Sequence, residues 1–333
     1  MRILILTNYF YPEIGAAPSR IYNMAKGLIR KNNSVEVISP MPNYPTGKIF
    51  KNYKNKLFNS ELINGIKTYQ YFIYPSKSSN PILRLFSMCS FAVSFWFSIF
   101  HLMNKKQIDL VIIQNSPLLV SFSGIILFKK IFGRKIVLNI SDLWPGSAVD
   151  LGVIGKGLTY KILKKIEHFN YKNSDAFLGQ SQVILDEIKF FIKKPNFLYR
   201  NLQPDIIIKK RKYVKRKKLI YAGLLGVAQD VLGIIKNVNF KKISLDFHIY
   251  GDGNQKKEIL EFIKKSNLTN IKYFGLISKR ELLSQFKNYD FSIAPLKTNI
   301  KGAVPSKIFE CINNTIPIIY LGKGEASKII NKY

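Results

Sequence analysis

The sequence predicts an α/β protein built from two doubly wound, Rossmann-like domains, and three observations carry that prediction. Short β-branched runs alternate with longer amphipathic stretches along the chain, the pattern of βαβ units wrapped around a parallel sheet. The alternation breaks once, at the basic and non-periodic run Lys209-Lys210-Arg211-Lys212-Tyr213-Val214-Lys215-Arg216-Lys217-Lys218, and then restarts. The chain has 333 residues, 47% of them hydrophobic, too many for one ordinary domain and too apolar for a disordered polymer.

Taken in order, Met1-Arg2-Ile3-Leu4-Ile5-Leu6-Thr7 is short, apolar and rich in branched side chains, and turn residues follow at once. It reads as a first buried strand over 3–7 rather than a secretory leader. An amphipathic helix through Leu28 follows, and further strands are expected at 35–39, 110–114, 135–140 and 176–178. These make a first domain over 1–204. After the basic run, strands at 219–222, 245–250, 271–274, 291–294 and 318–320 make a second domain over 205–333. In such sheets ligands bind beyond the carboxyl ends of the strands, so a crevice between the domains is the expected active site.

One stretch stands apart. Residues 85–103 hold no Lys, Arg, Asp or Glu, which meets the length criterion for a membrane span. Yet Ser87, Ser90, Ser94, Ser98 and His101 recur at helical spacing as a small, polar stripe, with Phe91, Phe95, Trp96 and Phe97 around it. Three readings stay open: a spanning helix, a helix dipping into or lying on the membrane, and a helix packed on the sheet. The first would place strands of one sheet on opposite sides of a bilayer. A second candidate membrane element is Lys48, Lys51, Lys54 and Lys56 interleaved with Phe50, Tyr53 and Phe58, unless it is an ordinary solvated loop.

Charge and cysteine content narrow the partners. Fifty-two basic against 20 acidic side chains give a net charge of +32, which calls for an anionic partner: nucleic acid, an anionic membrane surface, or a phosphate-bearing substrate. Part of the lysine excess reads as drift in a composition rich in Lys, Asn and Ile. The basic residues are dispersed and no nucleic-acid motif occurs, so nucleic acid is the least favoured partner. Cys89 and Cys311 are the two cysteines and lie far apart, as expected of a reducing, cytoplasmic compartment rather than a disulfide scaffold. No Asp-x-Asp pair occurs and His101, His168 and His248 are scattered, so neither a metal nor another cofactor is expected.

Three motifs carry the chemistry. The first strand runs into Asn8-Tyr9-Phe10-Tyr11-Pro12-Glu13-Ile14-Gly15-Ala16-Ala17-Pro18-Ser19-Arg20, where the Gly15 loop can offer backbone N–H groups to a phosphate or can be a plain turn. It lacks the G-x-G-x-x-G dinucleotide fingerprint. The fourth strand runs into Asn139-Ile140-Ser141-Asp142-Leu143-Trp144-Pro145-Gly146, where Asp142 either faces the crevice to take a proton or bind a hydroxyl, or caps the next helix. The third is Gly302-Ala303-Val304-Pro305-Ser306-Lys307-Ile308-Phe309-Glu310, a loop opening a helix. A lysine in a first helical turn is unfavourable unless an anion sits there too, so Ser306 and Lys307 point to a bound phosphate, with Glu310 placed to accept ribose hydroxyls.

These motifs resemble glycosyltransferase family 4. They stand in the family's order, with Tyr221-Ala222-Gly223-Leu224-Leu225-Gly226 opening the second domain and Tyr250-Gly251-Asp252-Gly253 and Phe274-Gly275-Leu276-Ile277 behind it. The Asp142-Leu143-Trp144-Pro145 and Gly302-to-Lys307 strings resemble the bacterial N-acetylfucosamine transferases of O-antigen and capsule synthesis. The resemblance implies the GT-B fold and retaining transfer from a nucleoside-diphosphate sugar, uridine-linked by the family's habit, to a lipid-pyrophosphate-linked saccharide at the inner face of the cytoplasmic membrane. It implies that Lys307 contacts the diphosphate, Glu310 the ribose, Gly275, Leu276 and Ile277 the base, and Gly302, Ala303 and Val304 the sugar. Gly223 and Ser306 fall within the same donor loops, and Gly15 faces the diphosphate from the first domain.

Three departures from the family pattern accompany it. Gly302 occupies the position of the second glutamate in the family's paired-glutamate motif, and 224–229 contains neither Lys nor Arg. Relatives also continue beyond the position of Tyr333, so the second domain is expected to be incomplete. The departures leave a membrane-bound scaffold without turnover as an alternative to an enzyme.

Overall fold

A computed structural model describes residues 1–76, 81–102, 108–200, 217–297 and 301–331, and it divides into two compact units, Met1–Tyr199 and Arg200–Tyr333. The expected boundary at 204 lies within 201–216, outside the described residues, as does most of the basic run.

Unit one carries an eight-stranded sheet. Its strands are β1 (Arg2–Leu6), β2 (Ser34–Pro40), β3 (Phe58–Ile63), β4 (Ile66–Tyr71), β5 (Leu110–Gln114), β6 (Lys135–Ile140), β7 (Ala176–Gly179) and β8 (Asn196–Leu198). The order β3-β4-β2-β1-β5-β6-β7-β8 is parallel except for the antiparallel β3–β4 hairpin, and the direction of winding reverses between β1 and β5. The helices are α1 (Ala16–Arg30), α2 (Pro81–Ser94), α3 (Ser98–Leu102), α4 (Leu118–Ile125), α5 (Gly146–Asp150), α6 (Leu158–Asn173) and α7 (Gln182–Phe191). Alternate residues of a strand face opposite ways. Leu4 and Leu6 of β1 therefore join a core with Phe91, Phe95, Val120 and Phe128, while Ile3 and Ile5 join Ile21, Met24 and Ala25 of α1 on the other face. Burial on both faces is why β1, β5 and β6 read as near-continuous apolar runs.

Unit two carries a five-stranded parallel sheet of β9 (Lys217–Ala222), β10 (Leu245–Tyr250), β11 (Ile271–Gly275), β12 (Phe291–Pro295) and β13 (Ile318–Leu321). The order is β11-β10-β9-β12-β13, so its switch point falls between β9 and β12. The helices α8 (Val231–Asn237), α9 (Lys256–Lys265), α10 (Lys279–Gln285), α11 (Ser306–Asn313) and α12 (Glu325–Ile330) alternate with the strands.

The strands expected from the sequence all form, within a residue or two of their expected limits. Three were not expected: the β3–β4 hairpin and the edge strand β8. The expected helix over 85–103 is divided, because Phe95–Phe97 tightens into a 3-10 turn between α2 and α3. The strands before and after it share one sheet, which is incompatible with a bilayer between them. Its serine stripe faces the protein: the Ser94 hydroxyl donates to the Phe72 carbonyl at 2.5 Å, and the Ser90 hydroxyl accepts from the Tyr74 N–H at 2.8 Å. In the basic segment before β3, Lys48, Lys51, Lys54 and Lys56 are exposed as a membrane element requires, but Tyr53 and Phe58 turn inward onto the core.

Candidate functional site

In unit two the carboxyl ends of the strands are tied together beyond the sheet itself. The Gly223 N–H donates to the Tyr250 carbonyl at 2.9 Å, and the Gly251 N–H to the Gly275 carbonyl at 2.8 Å. This ladder brings the loops after β9, β10 and β11 to one edge. Lys307, in the first turn of α11, joins them there: its ammonium lies 5.0 Å from the centre of the Tyr221 ring, near the carboxyl end of β9. A β-carbon at Gly223, whose φ is +156°, would overlap Lys307 Nζ, so this glycine is the slot into which the lysine extends.

Among the described residues no acceptor is hydrogen-bonded to the Lys307 ammonium. Burial holds it below the ordinary lysine range, opposed by the negative charge of Glu310 one turn further along α11. An ammonium that loses water beside a ring and a glycine, with the charge of Glu310 offsetting part of that loss, gains if an anion completes its surroundings. The loop that delivers it is anchored: Val304 is buried with Ile308, Phe309, Ala326 and Ile329. Gly302 and Ala303 precede it half-buried, and Ser306 opens the helix.

At the far end of the ladder Gly275 has φ +79°, Leu276 is 72% exposed and Ile277 packs into the core below. A group that the sequence reading missed adjoins them. The Phe274 ring stacks on Tyr250 at 4.9 Å, and the Tyr250 and His248 side chains both reach the Tyr289 hydroxyl at 2.9 Å. The signal was the aromatic content of β10 and β11, which is indistinguishable from core until partners are known. Gln229 and Gln255 each hold a buried side-chain oxygen without a partner among the described residues, free to accept from a ligand hydroxyl or N–H.

In unit one Gly15 caps α1 and Asp142 follows β6, both at the carboxyl edge of the sheet. Asp142 does not cap a helix, since α5 begins at Gly146 with Pro145 before it. Its Oδ1 accepts from the Ser116 hydroxyl at 2.8 Å. Burial raises its pKa, while the Ser116 bond and the Arg20 charge pull the other way. Arg20, 8% exposed, donates to the Ser141 hydroxyl at 2.7 Å and faces the Gln180 amide. Desolvation brings its guanidinium down to about 10 against the pull of Asp142.

Glu13 is the second carboxylate there, quoted in the first motif but given no role. Its Oε1 accepts the N–H groups of Asn43 and Tyr44, both at 2.8 Å, while Oε2 is buried with no partner among the described residues. These bonds clamp the loop after β1 to the loop after β2, and a β-carbon at Gly15 would stand 2.9 Å from the Tyr44 ring. Burial lifts Glu13 to about 7, well above an ordinary glutamate. Its protonated form is thus favoured by folding, so stability is full below about pH 4.5 and falls as pH rises towards 7. Between those values about 2–3 kcal/mol is lost, at about 1.4 kcal/mol per pKa unit. Glu13→Gln is expected to flatten this slope, which urea unfolding at pH 5 and pH 8 would show; equal slopes in both proteins would refute the assignment.

Among the described residues no cluster of three or more His, Cys, Asp or Glu side chains is placed to hold a metal ion. The sequence-predicted donor residues other than Gly15 lie on unit two, with Gly223 and Lys307 in contact and Gly275 linked to them through the ladder. Gly15 and Asp142 share the corresponding edge of unit one.

Two Rossmann-like parallel sheets, each with its ligand-ready loops at the carboxyl edge, are the GT-B architecture of glycosyltransferases. No protein-family model matches the chain. It is 25% identical over 329 residues to the "Putative colanic acid biosynthesis glycosyl transferase WcaI" of Escherichia coli K12, covering 92% of this chain and 80% of that protein. Among solved structures it is similar to the sucrose-phosphate synthase of Thermosynechococcus elongatus (TM-score 0.66, 10% identity, 96% of this chain and 82% of that one). It is also similar to Anabaena HepE in complex with UDP-glucose (TM-score 0.64, 13% identity, 100% of this chain and 88% of that one). Sequence and architecture together support a glycosyltransferase.

Proposed function

We propose that the protein is a retaining glycosyltransferase of the family 4 type, which moves a sugar from a uridine-diphosphate donor to a lipid-pyrophosphate-linked saccharide during surface polysaccharide synthesis. The observation that carries this reading is Lys307, a half-buried lysine in the first turn of α11 whose ammonium has no hydrogen-bond acceptor among the described residues, set against Gly223 at the switch point of the unit-two sheet. That is the place and the charge a diphosphate requires. The name of WcaI supports polysaccharide synthesis, and the UDP-glucose bound to HepE supports a uridine donor. The motif resemblance supports an N-acetylated deoxyhexosamine as the sugar and an O-antigen or capsule repeat as the product. A lipid-linked acceptor would hold the reaction at the inner face of the cytoplasmic membrane. No observation favours a scaffold without turnover or a nucleic-acid binder.

In this reaction the bond from the anomeric carbon to the diphosphate oxygen breaks, and a bond to an acceptor hydroxyl oxygen forms on the same face. Negative charge grows on the departing diphosphate, and Lys307, the Ser306 hydroxyl and the first N–H groups of α11 are placed to receive it. Glu310 would hold the ribose and the loop Gly275-Leu276-Ile277 the base, with Gly302, Ala303 and Val304 lining the sugar. In unit one Asp142 would orient the acceptor hydroxyl or take its proton, and Gly15 would leave room for the diphosphate.

Calorimetry of UDP against the intact protein tests the donor assignment. Saturable one-to-one binding is expected, with ADP and GDP binding at least tenfold more weakly; absence of UDP binding would overturn it.

A further inference from the structure

We infer that the α2–α3 segment is a monotopic membrane anchor, which sinks one face into a single leaflet of an anionic phospholipid bilayer and neither spans it nor meets another protein. The segment Leu85–Leu102 is apolar enough and long enough to cross a bilayer, yet only 28% of it is buried in the fold. Its inward face buries Phe91 and Phe95 in the core, but its outward face is apolar as well, where an ordinary surface helix is polar. The polar stripe is used inward, by the Ser90 and Ser94 bonds to 72–74 and by His101, which stacks on Phe58 at 4.2 Å. Phe86, Val93, Phe97 and Phe100 recur at helical spacing on the outer face and are between 61% and 71% exposed. With Phe91 and Phe95 seated in the core and Ser90 and Ser94 bonded to 72–74, the outer aromatic stripe cannot also turn inward.

The outer face does not end at the helix. Phe72 and Tyr74 are exposed beside it, the Tyr74 ring meets Phe86 at 6.0 Å, and the Phe72 N–H donates to the carbonyl of Leu57, itself 76% exposed. An open, apolar groove of about 410 Å³, walled by Val93, Trp96, Phe97 and Phe100, runs along it and has the lining of an acyl-chain slot. Contiguous exposed apolar surface of this kind marks an interaction site. Charge selects the occupant: Lys54 and Lys56 are exposed next to Leu57, on the same rim, and the chain carries +32 overall. A second copy of so basic a chain would be repelled, whereas anionic headgroups above an acyl layer match both the lysines and the aromatic stripe.

Cys89 lies on the exposed side of α2 and Cys311 is buried, so the full chain can be labelled at Cys89 alone with a nitrobenzoxadiazole fluorophore. With vesicles containing phosphatidylglycerol the emission is expected to shift to the blue and to be quenched more by nitroxides near the headgroups than by those near the bilayer centre. Phe97→Ser with Phe100→Ser should weaken vesicle binding at least tenfold, and Lys54→Glu with Lys56→Glu should do so on anionic but not on neutral vesicles. An unchanged emission would overturn the proposal. So would a blue shift that appears without vesicles as protein concentration rises, the mark of a second copy, or strongest quenching at the bilayer centre with resistance to alkaline carbonate, the mark of a span. The experiment needs no turnover, and UDP binding should be the same in all these variants, so this proposal and the donor reading fail separately.

Discussion

Replacing Lys307 by alanine is expected to weaken UDP binding about 100-fold and to lower transfer, measured as kcat/KM for a UDP-sugar, by about 10³ or more. A charge-assisted hydrogen bond contributes about 1.5–3 kcal/mol, and losing one preorganised donor to a developing anion typically costs about 10²–10³ in rate. Stability should move the other way. Lys307 is half-buried, with its pKa depressed by burial and no hydrogen-bond acceptor for its ammonium among the described residues, so its removal relieves a desolvation cost and the unfolding midpoint should hold or rise. Lys307→Arg is not expected to rescue, because a planar guanidinium is broader than the slot left by Gly223. Since the lysine titrates below its ordinary range, UDP affinity should also decline on the alkaline side earlier than for an ordinary lysine site. Undiminished UDP binding by Lys307→Ala would remove the donor assignment altogether.

Asp142→Asn is expected to lower turnover by about 10²–10⁴ while leaving UDP affinity unchanged, the range found when a positioned base is lost. The amide keeps an oxygen for the Ser116 hydroxyl, so the loop after β6 should hold its shape. Two opposing effects set the stability change. Asparagine no longer carries the charge whose burial raises the Asp142 pKa, but it leaves buried Arg20 without that charge nearby. The balance should leave the midpoint within a few degrees of the parent, which separates this variant from a misfolded one. Full turnover in Asp142→Asn would exclude it from the chemistry and leave Glu13 as the remaining carboxylate of that loop cluster.

Much of this was legible before any coordinates. Apolar runs mark β1, β5, β6 and β9 because strands buried on both faces must be apolar at every position, and the basic run at 209–218 separates two such series. The hairpin was missed because Phe58–Ile63 alternates polar and apolar weakly, although Asn64-Gly65, with both φ values positive, is the dipeptide that a tight hairpin turn demands. The edge strand β8 is three residues long, too short for any periodicity to show.

The candidate site divides in the same way. Lys307 stood out from the sequence because a cation at a helix N-terminus opposes the helix dipole, a conflict visible from position alone. Its contact with Tyr221 and the slot at Gly223 did not, since they join residues more than eighty positions apart across a switch point. Glu13 was likewise hidden, because its raised pKa depends on burial and on two N–H groups supplied by another loop.

The sequence by itself determined the class of fold, the places along the chain of ten of the thirteen strands among the described residues and the residue types at the donor edge, because propensity, periodicity and turn chemistry act over a few neighbouring residues. Only the tertiary structure decided which face of each element looks inward. The α2–α3 helix shows why: its pattern contains a polar and an apolar stripe, and the partners that bind the serines lie on distant segments, so orientation is a property of the assembled sheet and not of the helix.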